Sequence, residues 1–133
     1  MNSIELGENH KRAFWSTVYI IEKLVTELEH ELQHPVQRIL IQTTRDYPDG
    51  YSSQLLSRIQ EIKSCLASLA SKYNLKEEEN SLHQLVESKK SVMWEVLHDT
   101  APGKLKRYGT FPAEHAPEFE ADLNRLMMMI ENL

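Results

Sequence analysis

The sequence has 133 residues, 41% hydrophobic and 26% charged, which is enough for one domain with a real core and ordinary for a globular protein. Its net charge of −5 argues against a nucleic-acid binder, whose phosphate contacts call for clustered Lys and Arg, and no apolar run approaches the ~20 residues of a membrane span. A single cysteine, Cys65, excludes an intrachain disulfide, and the four glycines, none spaced as Gly-x-Gly, exclude a glycine-rich phosphate loop and the nucleotide cofactors it would hold. Met1 to Gly7 lacks the basic-then-apolar pattern of a signal segment, so a cytoplasmic protein is expected.

The first helix is predicted from near Asn9. Phe14, Val18, Ile21, Val25, Leu28 and Leu32 alternate spacings of four and three, the seam of a helix packed lengthwise on other helices. Val36, Ile39 and Leu40 keep the same phase past Pro35. A helix kinked at Pro35 and continuing to about Arg45 is therefore expected. Tyr47-Pro48-Asp49-Gly50 reads as a turn, with Gly50 suited to a left-handed conformation. The second helix is predicted over about Tyr51 to Tyr73 on Tyr51, Leu55, Ile59, Ile62, Leu66, Leu69 and Tyr73. Ser52 or Ser53 is its expected N-cap and Asn74 its left-handed stop.

The third helix is predicted over about Lys76 to His98. Glu77 to Glu79 fall in its first turn, and Leu82, Leu85, Lys89, Val92 and Val96 form its stripe. Lys89 either lays its stem on the core or pairs with Glu120 or Asp122. Residues 103 to 115 read as a loop whose Lys104, Lys106, Arg107 and Tyr108 are solvated. The last helix is predicted from near Pro117 on Phe119, Leu123, Leu126 and Ile130. No strand is expected. The reading is a single all-α domain over residues 1–133: an antiparallel helical hairpin at 9–74 and two further helices at 76–133, forming a four-helix bundle. Trp15, Tyr19, Ile20, Leu24 and Met127 to Met129 lie off the main stripes and point to an oligomer interface.

The chemistry-bearing stretch is His30-Glu31-Leu32-Gln33-His34-Pro35. It matches the zinc-protease pattern His-Glu-x-x-His, but Pro35 disrupts the helix that would hold both ligands and no third ligand is evident. Glu-x-x-His, the di-iron bundle motif, occurs at Glu27/His30, Glu31/His34 and Glu95/His98. At ~100° per residue, His30 and His98 lie ~160° and ~180° from their helices' stripes, away from an interior metal. No metal and no cofactor is expected.

His30-Glu31-Leu32-x-x-Pro35-Val36-x-x-Ile39, with Leu24, Val25 and Leu28 upstream and Leu55 to Ile59 and Leu66 to Leu69 downstream, resembles the H box of sensor histidine kinases. The resemblance covers about residues 14 to 73. It implies a dimeric hairpin whose exposed His30 accepts a phosphoryl group, with Glu31 orienting the ring or taking its proton. The implied partners are a receiver domain or a histidine kinase. His34 stands where that family often has Thr or Asn, Gln33 replaces a basic residue, and Glu29 replaces a small polar one. Residues 76–133 carry none of the family's ATP-binding boxes, so the chain alone is not a kinase. The alternative is a regulatory or adaptor bundle acting only by protein–protein interaction.

Overall fold

Four-three spacing produces helix throughout. The computed structural model describes residues 3–133 and contains α1 (Glu8–Gln33), α2 (Tyr51–Lys72), α3 (Leu82–His98), α4 (Pro102–Leu105) and α5 (Ala116–Glu131). One 3-10 turn, Lys106–Tyr108, follows α4. Among the described residues there is no strand, and no helix is long and apolar enough to cross a membrane. The chain divides between Glu77 and Glu78 into two compact units.

In the first unit, Val25 of α1 and Ile59 and Leu66 of α2 are buried. Phe14 meets Tyr73 edge-on with ring centroids 5.1 Å apart, and Glu29 binds Lys63 at 2.8 Å and also accepts from Gln60. The start of α1 thus meets the end of α2, and the pair is antiparallel. The segment before α1 is tied to the end of α2. The Ile4 N–H donates to the Lys72 carbonyl at 2.8 Å, and Glu5 accepts from Lys11 and Asn74 at 3.0 Å each. The Lys11 ammonium and then the Asn74 amide hold the Glu5 carboxyl below its usual range.

Asn74 stops α2 as expected, with φ 55°. The Leu75 N–H returns to Ala70 O at 2.8 Å and the Asn74 N–H to Ser71 O at 3.3 Å, the paired bonds of a Schellman end. Gly50 takes a left-handed conformation (φ 84°) and is itself the N-cap of α2; Ser52 and Ser53 lie inside the helix.

The expected kinked continuation past Pro35 is not formed: α1 ends at Gln33 and residues 35–50 carry no helix. Pro35 has no N–H for the Glu31 carbonyl four residues back, and its ring crowds that carbonyl. His34, just before it, has left the helical region, with φ −136° and ψ 80°.

In the second unit, α3 starts at Leu82, not Lys76. Ser81 is its N-cap and accepts from Gln84 N at 3.3 Å; Ser-x-x-Gln outweighs the acidic run Glu77 to Glu79, which carries no helix. The helix is also turned from its expected face. Leu82, Val92 and Val96 point to solvent, whereas Lys90 and Leu97 are half-buried. Lys89 is exposed and pairs with neither Glu120 nor Asp122. The inward lysine is Lys90, whose ammonium reaches the Glu131 carbonyl at the C-terminal end of α5 at 3.2 Å, where the helix dipole favours a cation. On α5, Phe119, Leu123, Met127 and Ile130 are half-buried, with Met127 in the place expected of Leu126. Pro102 opens the short α4, which takes up the first residues of the loop expected at 103 to 115.

Candidate functional site

The candidate residues His30 and Glu31 lie in the last turn of α1. Successive helical residues diverge by ~100°, so the two side chains leave the helix on different sides. The His30 ring is exposed and lies 5.6 Å from the His34 ring. Glu31 turns elsewhere. Its Oε2 is 3.8 Å from the Arg38 guanidinium, and its Oε1 is buried with no hydrogen-bond partner among the described residues. No hydrogen bond joins Glu31 to His30 among those residues.

Helix ends leave carbonyls without partners, and at α1 Arg45 supplies them. Its guanidinium donates to Glu31 O at 3.0 Å and to Leu32 O at 3.3 Å. The Glu31 carbonyl, which Pro35 cannot serve, is thus bonded from fourteen residues downstream, by a cation placed where the helix dipole is negative. With this cap the segment after Pro35 lies back beneath α1, leaving a half-open cleft of about 240 Å³. Leu28, Leu32, Pro35 and Leu55 form its apolar walls, and Glu31 and Asp46 its acidic ones. His30 does not line it. Arg45 escaped sequence reading because a cap so distant has no local spacing signal.

A second feature lies along the hairpin. Taking Val25 as the seam centre, Leu28, Leu24 and Ile20 sit about 60°, 100° and 140° to one side of it. Ile62 is about 60° from Ile59 in the same sense, while Glu29 and Lys63 are both rotated about 40° the other way. In an antiparallel pair, equal senses fall on the same side, as the Glu29–Lys63 bond shows. The hairpin therefore has one apolar flank, with Ile20, Leu24, Leu28 and Ile62 exposed by 53%, 54%, 52% and 41%. Its other flank is polar at Glu29, Gln60 and Lys63. Trp15 and Tyr19, grouped with Ile20 and Leu24 on sequence, belong to the polar side. There they stack at 5.4 Å, and the Trp15 Nε1–H donates to the Lys76 carbonyl at 2.8 Å.

In the second unit His98 stacks on Trp94 with ring centroids 5.3 Å apart. Among the described residues no three His, Cys, Asp or Glu side chains converge as a metal site requires. No protein-family model, curated protein or solved structure matches the chain.

Proposed function

We propose that the chain acts by protein–protein association, as a dimerisation module in which two copies join the apolar flanks of their α1–α2 hairpins into a four-helix core. The observation that carries this reading is the row Ile20, Leu24 and Leu28, more than half exposed on a hairpin that buries only three side chains. Covering the exposed half of each such side chain contributes about 0.8–1.5 kcal/mol. Thr17, Ile20, Ile21, Leu24 and Leu28 carry no charge, so this α1 ridge can meet a copy of itself across a two-fold axis, with Arg58 of α2 and Glu31 of α1 as the charged groups of the same side. A cytoplasmic setting goes with this reading. Light scattering on the full chain at tens of micromolar should give the mass of a dimer. An Ile20→Glu/Leu24→Glu variant should be monomeric with its helical circular dichroism retained. A monomeric wild type, with the flank covered by its own residues 78–133, overturns the proposal.

The exposure of His30 on the first helix of a hairpin, five residues before Pro35, supports a second reading. In it His30 is a phosphoacceptor served by a receiver domain or histidine kinase. The end of α1 weighs against it. A phosphoryl group there would meet the negative end of the helix dipole, with Glu27 one turn back and Glu31 adjacent. Acid-labile label transferred from a phosphorylated kinase or receiver, and abolished by His30→Gln but not by His34→Gln, would establish this reading. Label that survives His30→Gln would remove it.

A further inference from the structure

The last backbone hydrogen bond of α1 runs from the His34 N–H to the His30 carbonyl at 2.7 Å. It fixes the register of two imidazoles whose ring centroids lie 5.6 Å apart. Both side chains are exposed, and among the described residues no hydrogen bond or ion pair engages either ring. A neutral imidazole keeps one ring nitrogen with a lone pair, so two such nitrogens stand side by side on the outer face of the helix end.

The spacing suits one ion held between them. A metal ~2.0–2.1 Å from one nitrogen of each ring stands about 3.2 Å from each ring centre, so centroids 5.6 Å apart subtend about 120° at the metal, near the tetrahedral ~109°. The neighbouring charges admit a cation. Glu27 is exposed, one turn before His30 and about 60° round the helix from it, and Glu31 is adjacent. Of the cations nearby, Arg45 is committed to the Glu31 and Leu32 carbonyls and Arg38 faces the Glu31 carboxylate at 3.8 Å. Lys23, on the histidines' face by register, stands two turns before His30.

We propose that His30 and His34 together chelate a divalent transition-metal ion of the zinc, nickel and copper class, which imidazole nitrogen suits, with water in the remaining positions. Such an ion sits on the outer face of α1, not in the bundle interior that the histidines' helix angles deny it. Two protein ligands leave it exchangeable, and it bridges the turn that Pro35 ends. The site rests on neither reading above. The probe is Zn2+, titrated into the full chain without a histidine tag and followed by the NMR signals of the histidine rings. The His30 and His34 rings should shift together on one saturating curve, at lower Zn2+ than His10, His83, His98 and His115. The His34 amide, whose bond to His30 the ion bridges, should exchange with solvent at least threefold more slowly at saturation. Chelation makes the two rings interdependent. His30→Gln and His34→Gln should each weaken binding at least tenfold, the double substitution should be little worse than either, and His98→Gln should leave the affinity unchanged. Rings that saturate independently, an unchanged affinity in either single variant, unchanged exchange of the His34 amide, or six histidines that shift alike, the mark of an adventitious ion only, overturn the proposal.

Discussion

α1 and α2 bury Val25, Ile59 and Leu66 between them, whereas α3 and α5 pack on each other without burying any residue to that degree. Apolar residues recur at helical spacing in all four. The difference lies in length and in what enters the seam. α1 and α2 have 26 and 22 residues and meet along several turns, with their ends tied by Ile4, Glu5 and Asn74. α3 and α5 have 17 and 16, and α3 turns a lysine inward. A seam closes dry only when apolar residues meet over enough turns for neighbours to cover one another. A lysine stem can fill the seam, but its ammonium must still reach solvent or a carbonyl.

The largest expected effect tests that contrast directly. Ile59 is 2% exposed, so Ile59→Ala should cost about 2–5 kcal/mol in urea unfolding. Leu123→Ala, at a half-buried position of α5, should cost roughly half as much or less, because less area leaves water. Equal losses would show that the second unit has as firm a core as the first.

A smaller effect is expected where Lys90 crosses the seam. Lys90→Met keeps the stem and deletes the ammonium that reaches Glu131 O. The loss should be about 0.3–1 kcal/mol, read by thermal unfolding at low salt and shrinking as salt is added. A gain in stability would mean that the cation was a burden on the seam.

The smallest effect belongs to the polar flank of the first unit. The Lys63 hydrogen bond, then its charge and the Gln60 amide, hold the Glu29 carboxyl below its ordinary value of 4.5. The folded state binds this proton less readily than the unfolded chain. The contribution is therefore fully present above pH 4.5 and is lost as pH falls through the depressed value. Glu29→Gln should lower stability slightly at neutral pH and leave it unchanged below the depressed value, so that the acid limb of stability against pH is flatter. An unchanged acid limb would mean that the bond to Lys63 does not persist in solution.

Helix positions were legible in the sequence where a local signal existed. α2 was readable from the Gly50 turn to the Asn74 stop, and α1 from its seam. The α1 continuation does not form because the missing N–H of Pro35 outweighs the apolar phase beyond it. The face of α3 was misread because apolar residues lie on two of its sides, and only packing against α5 chooses between them. At the candidate site, the exposure of His30 followed from its angle to the seam. The cleft beside Glu31 did not, since it depends on Arg45, and no rule of spacing links a loop arginine to carbonyls thirteen and fourteen residues earlier.

That link also sets how the first unit opens. Most helix ends fray alone, one turn at a time, because their caps are local. The last turn of α1 can release only when Arg45 lets go, and with it the segment from Pro35 to Tyr47 loses its anchor. Helix end and loop therefore behave as one cooperative unit in local unfolding. In amide hydrogen exchange the last turn of α1 would share its opening free energy with that distant loop and not with the rest of its own helix. A stretch without secondary structure, in which Ile39 and Leu40 are almost wholly exposed, thus governs the durability of the helix end that carries His30 and Glu31.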